Sequence, residues 1–150
     1  MRILEIENYF QTEPTLSKVL EECKADFELI DYYANDILKT KLANNPDEAK
    51  GALLVLAGVF SNLSTILSIA ITEKNNRETR EYDRLRIESE NAGDKKFVSV
   101  QAEKTASVSV ANYRRIRNII EGYMNGCEKM IVSLQSTLKN EKKNYNNEQA

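Results

Sequence analysis

Apolar residues recur at intervals of three and four through most of this chain, and only 2 Pro and 5 Gly interrupt its 150 residues. That spacing gathers apolar side chains on one face of an α-helix rather than alternating them across a strand. So few breakers leave room for long helices, and the pattern predicts an all-α fold with three main helices. After Thr12-Glu13-Pro14, the residues Leu16, Leu20, Cys23, Phe27, Ile30, Ala34 and Ile37 form an unbroken heptad seam. It predicts a first helix over about 14–43, with Pro placed where a first turn accepts it. Val19 and Leu38 widen the stripe, as expected of a helix with more than one neighbour.

Asn45-Pro46-Asp47-Glu48 reads as a second helix start, because Asn caps, Pro fits the first turn and two acids favour the positive end of the helix dipole. The seam Ala49, Leu53, Leu56, Phe60, Leu63, Leu67, Ala70 follows, after which Lys74 and Arg77 occupy the same register and the core face ends. The helical pattern continues to Asn91-Ala92-Gly93. A third seam runs Ala102, Ala106, Ser109, Tyr113, Ile116, Ile120, Tyr123, Cys127, Met130, Leu134. Matching its weak beginning to the weak end of the second helix predicts a long antiparallel hairpin over about 46–139. The polar residues 140–150 are expected to fray. The length suits a single helical domain over 1–150, and stripes too wide for a three-helix monomer predict a homo-oligomeric helical bundle.

The chain has no His, which removes Ser-His and Cys-His nucleophile pairs and His-ligated zinc. With no Gly-rich phosphate loop and no metal-spaced cluster either, the expectation is a protein that is not an enzyme and uses no cofactor or metal. Cys23 and Cys127 are too far apart for a CxxC site and both lie on seams, so they read as packing residues. Nothing at the N-terminus reads as a cleaved signal, and a reducing, cytoplasmic setting is expected. From Gly51 to Thr72 there is no charged residue, and Ala52 to Ile71 has the length of a membrane span. Gly58, Ser61, Thr65, Ser68 and Thr72 form a small, mildly polar face on it, and no Trp or Tyr belt flanks it. Both features argue for a buried helix over a single-pass membrane anchor.

The formal net charge of −2 conceals an asymmetry. Residues 1–73 carry 6 bases and 12 acids, residues 74–117 carry 11 bases and 7 acids, and the remainder balances. Arg77, Arg80 and Arg84 are spaced to share a helix face, Lys74 and Arg86 lie close by, and Lys95 and Lys96 occupy the expected hairpin tip. Bases on a rigid arm suit phosphate contacts that neutralise a nucleic-acid backbone without reading bases. The competing reading is a solvated face laced with ion pairs, since Glu73, Glu78, Glu81, Asp83 and Glu88 alternate with these bases.

The stretch from about Leu53 to Lys143 resembles the UvsY-type recombination mediators of tailed phages. An apolar helix runs into a basic arm, Glu73-Lys74-Asn75-Asn76-Arg77 through Arg84-Leu85-Arg86, and a helix returns through Tyr113-Arg114-Arg115-Ile116-Arg117 to Leu138-Lys139. The resemblance implies a homo-oligomer in the host cytoplasm that binds single-stranded DNA nonspecifically and helps load a recombinase. A recombinase and a single-strand binding protein are its implied partners. It assigns DNA binding to Lys74, Arg77, Arg80, Arg84 and Arg86, with Lys95 and Lys96 added by proximity. A helical adaptor or inhibitor that binds a protein through the acidic first helix remains the alternative, and the membrane anchor a third.

Overall fold

Helix is the only regular structure among the described residues of this computed structural model, which cover 3–38, 42–93 and 96–149. Among them five α-helices follow one another: α1 (Ile3–Tyr9), α2 (Leu16–Leu38), α3 (Pro46–Asn91), α4 (Ser99–Ser109) and α5 (Ala111–Glu148). Two 3₁₀ turns, Glu13–Thr15 and Leu42–Asn44, precede α2 and α3. Three expectations need correction. The first predicted helix begins later than residue 14, because Pro14 enters the 3₁₀ turn, and α1 stands ahead of it unpredicted. The third predicted helix is two helices. The last one continues past Lys139 to Glu148, since neither Gly nor Pro follows Gly126 to stop it.

Side-chain donors meet the backbone at the break between α4 and α5. Ser109 Oγ donates to the Ala106 carbonyl at 2.7 Å, and Arg114 Nη2 donates to the Ser107 carbonyl at 2.7 Å. Both carbonyls thereby gain a side-chain donor in the last turn of α4, where helix carbonyls lack backbone partners. Val110, at φ −103° and ψ 18°, takes the bend. Val110 is buried there and Ser109, a predicted seam residue, is exposed, while the predicted seam holds on both sides at Ala106 and Tyr113.

The residues form two compact units. In the unit of Glu21–Thr65 and Ile120–Ala150, segments of α2, α3 and α5 pack through Cys23, Ile30, Leu56, Leu63, Ile120 and Cys127. Phe27 stacks on Tyr123 with ring centroids 4.0 Å apart, and the Tyr123 hydroxyl donates to Asp31 at 3.2 Å, joining α2 to α5. The Cys127 thiol donates to the Leu56 carbonyl at 3.3 Å and joins α5 to α3. Burial pushes the Cys23 thiol up to about 12 and Cys127 up to about 11, with Asp26 adding to both. The thiolate is the reactive form, so both cysteines should resist a thiol reagent at pH 8 in the folded protein and react at once in denaturant. Because the folded-state values lie above the unfolded value near 9, the thiols' contribution to stability is complete below about pH 9. It should fall as pH rises towards 11, and a Cys23→Ala/Cys127→Ala double variant should show a flatter dependence of urea midpoint on pH. Equal slopes in the two proteins would refute this.

The unit of Arg2–Leu20 and Ile66–Ile119 is built around Ile6, Phe10, Val19, Ile66, Ala70, Val110 and Ile116. Tyr82 meets Phe97 edge to face at 5.8 Å, and Asn112 Nδ2 donates to Glu13, tying the first 3₁₀ turn to α5. Gly93 ends α3 at φ 70°, where Ala92 N donates to Glu88 O at 2.9 Å and Gly93 N to Glu90 O at 3.2 Å. A β-carbon there would meet nothing within 4 Å, so only the backbone conformation asks for glycine. Gly93→Ala should cost about 1 kcal/mol in urea denaturation, and Gly93→Asn less.

At the other end of α3, Pro46 opens the helix and the Asn45 side chain accepts the Glu48 backbone N–H at 3.3 Å. Beyond it lies the uncharged run, with an 18-residue window of mean hydropathy 2.0 that is one-third buried. Leu54 is 78% exposed, and Gly51, Val55, Gly58 and Ser61 are exposed with it.

Candidate nucleic-acid interface

The predicted DNA-binding residues fall into three groups by what their side chains touch. Lys74, Arg84 and Arg86 are neutralised within α3. Lys74 pairs with the half-buried Glu78. Arg84 grips Glu81 with two bonds, at 2.9 and 2.7 Å, and reaches Glu88 with Nη1. Arg86 bonds Glu90 at 2.8 Å and lies 3.9 Å from Asp83. The hydrogen bonds from Arg84 hold the Glu81 carboxyl below the usual carboxylate range, and Glu81 in turn holds Arg84 firmly protonated. These are i,i+3 and i,i+4 pairs within α3, part-buried at Lys74 and more exposed at Arg84 and Arg86, and they present little net charge to a phosphate.

Arg77 is committed to the fold. Its Nη2 donates to the Phe10 carbonyl at 2.7 Å and to the Gln11 carbonyl, and its guanidinium carbon lies 4.5 Å from the Tyr113 ring centroid. It thus holds the turn after α1 while stacking on α5. Arg80 and Lys96 are exposed and have no hydrogen-bond or ion-pair partner among the described residues. Lys96 lines a separate cleft with Leu85 and Phe97, and Lys95 lies outside the described residues.

The i, i+3, i+7 spacing does bring Arg77, Arg80 and Arg84 to one place. They line a cleft of about 350 Å³ with Glu13, Ser109 and Tyr113. Tyr113 is 3% exposed and its hydroxyl has no hydrogen-bond partner among the described residues, nor has Arg77 Nε. Burial is the main cause that raises the Tyr113 hydroxyl above its ordinary value; the Arg77 charge opposes it and Glu13 and Glu73 reinforce it. The hydroxyl therefore stays a protonated donor at neutral pH.

Arg114, Arg115 and Arg117 at the start of α5 were not among the predicted site residues. Arg114 donates to the Ser107 carbonyl and hydroxyl, Arg117 donates to Asn118 at 2.7 and 3.1 Å, and the exposed Arg115 has no partner among the described residues. None of the three meets a carboxylate among those residues. The signal was available: no acid stands three or four residues from Arg114 or Arg115, and only Glu121 does so from Arg117. Arg84 and Arg86 have acids at both distances. All seven arginines among the described residues lie in this unit, whereas the sequence of the other unit sets 12 acids against 8 lysines. Among the described residues no three His, Cys, Asp or Glu side chains converge on a point that could hold a metal.

No family model, curated protein or solved structure matches this chain.

Proposed function

We propose that this protein binds single-stranded DNA without base specificity, through the arginines that carry no carboxylate partner, and acts as a recombination mediator rather than an enzyme. The observation that carries the reading is the set Arg80, Arg114, Arg115 and Arg117, all in one unit and all outside ion pairs among the described residues. Unpaired guanidinium groups release counterions from a phosphate backbone, whereas paired ones must first give up a carboxylate. Among the arm bases, Arg80 keeps the role the resemblance gives it, and Lys74, Arg84 and Arg86 become an ion-paired flank. The order of the contacts, Tyr82 with Phe97 and Arg77 with Tyr113, supports reading the arm as an antiparallel hairpin. A recombinase and a single-strand binding protein enter as partners on the sequence resemblance alone.

Self-association is the second element of the proposal. Its support is the uncharged face of α3, where Leu54 and Val55 stand exposed beside Gly51 and Gly58. Small residues on such a face permit close helix approach, and a symmetric assembly would multiply weak phosphate contacts. Fluorescence anisotropy with a labelled oligo-dT at two salt concentrations, run beside light scattering without detergent, tests both elements. The expected result is a soluble oligomer whose DNA affinity falls steeply with salt. A soluble protein indifferent to DNA would favour the adaptor that binds a protein, and one that requires detergent would favour the membrane anchor.

A further inference from the structure

The cleft of Arg77, Arg80, Arg84 and Tyr113 is more than a patch of positive charge. A tyrosine hydroxyl buried without a partner gives up hydration with nothing in return, and in native proteins such a group ordinarily finds a donor or acceptor. Here it belongs to a residue that lines an open cleft and stays protonated at neutral pH. Arg77 is pinned beside it by two carbonyls and by its stack on the ring, so its unpartnered Nε is held in place rather than mobile. Of the two carboxylates lining the cleft, Glu81 is paired with Arg84, and Glu13 accepts from the neutral Asn112 amide and keeps its charge. The uncommitted donors are a phenol O–H, a guanidinium N–H edge and the exposed Arg80, and the three arginines outnumber the two carboxylates. Arg80 is long and unrestrained, so it can close over a group that enters. An excess of fixed donors and positive charge favours an oxyanion, and arginine geometry favours phosphate.

We infer that this cleft is a discrete phosphate pocket, in which the Tyr113 hydroxyl and Arg80, backed by the fixed Arg77, hold one phosphate group. That the phosphate belongs to a DNA strand rests on the binding reading proposed above; the pocket itself does not. Tyr113, a core-seam residue by its spacing, then has a second role as a ligand at the foot of the cleft.

Calorimetric titration of the whole chain with inorganic phosphate tests the pocket, with chloride at matched ionic strength as control. Wild type should bind phosphate, Tyr113→Phe should bind it about tenfold more weakly, and Arg80→Gln should weaken it to a similar degree, while Arg86→Gln should leave it unchanged. Tyr113→Phe removes only the oxygen, and a circular-dichroism melt confirms that the variants fold; should Tyr113→Phe fail to fold, Arg80→Gln alone carries the test. Phosphate no better than chloride, or full affinity in both Tyr113→Phe and Arg80→Gln, would overturn the pocket. Oligo-dT with and without a 5′-phosphate then separates the sources. A preference for the phosphorylated strand assigns the pocket to a terminal phosphate, and equal Tyr113-dependent binding assigns it to the backbone. If oligo-dT binds but inorganic phosphate does not, the pocket fails and the DNA reading stands. If phosphate binds and oligo-dT does not, the DNA reading fails and the pocket stands.

Discussion

Replacing Arg114, Arg115 and Arg117 together with Ala should lower affinity for single-stranded DNA about a hundredfold near 0.1 M salt, and should flatten the plot of log affinity against log salt by about two. Both figures follow from one premise, that each guanidinium meets one phosphate and releases about 0.7 of a counterion from a single strand. Two effects from one triple variant make the prediction hard to satisfy by accident. A variant that weakens binding through misfolding would lose affinity and salt dependence without a fixed relation between them. The control is the triad Glu81, Arg84 and Glu88, in which one arginine is held between two carboxylates. Converting all three to Gln removes two anions together with a cation that the strand never felt as a free charge, and affinity should fall by no more than about threefold. Should the triad variant lose as much as the α5 variant, the distinction between paired and unpaired arginines carries no meaning, and the whole basic arm is the contact surface.

That distinction marks how far the sequence was legible. Spacing places Leu56, Leu63, Leu67 and Ala70 on one face of α3 and Ile116, Ile120, Cys127 and Leu134 on one face of α5, and all eight are buried. Periodicity succeeds there because each segment is long and its inward face is chosen by apolar area, whose removal from water is the strongest force for burial. It fails at Ser109, where α4 ends and Val110, between the two helices, takes the buried place, and it holds again from Tyr113. The spacing of Arg77, Arg80 and Arg84 also placed them in one cleft. It was silent on what each arginine touches. For Arg84 the answer is local, and acids at i−3 and i+4 foretell it. For Arg77 the partners are carbonyls 66 and 67 residues earlier, and no local pattern encodes such a contact. Helix α1 escaped for a related reason: seven residues are too few to display a period, and a helix that short depends on its packing rather than on its own propensity.

Phe10→Ala should cost about 3–4 kcal/mol in urea denaturation, the largest stability loss expected of a single substitution outside the long helices. The side chain is 0% exposed, although it lies in the turn after α1 and not on a seam. Its removal leaves a ring-sized cavity beneath a turn whose geometry rests on few bonds: Phe10 N to Glu7 O at 3.1 Å, Thr15 Oγ1 to Tyr9 O at 2.7 Å, and the grip of Arg77 on the carbonyls of Phe10 and Gln11. Phe10→Leu keeps most of the apolar volume and should cost less than about 1.5 kcal/mol. Arg77→Met keeps the stem's packing but strips the donors from two carbonyls, and should cost about 1–3 kcal/mol. If the turn is held jointly by the ring below and the guanidinium above, the Phe10→Ala/Arg77→Met double variant should lose less than the sum of the two, because the first loss already frees the second contact. Strict additivity would mean that Phe10 packs independently of the clamp, and a Phe10→Ala cost below about 1 kcal/mol would mean that α1 contributes little to the core of its unit.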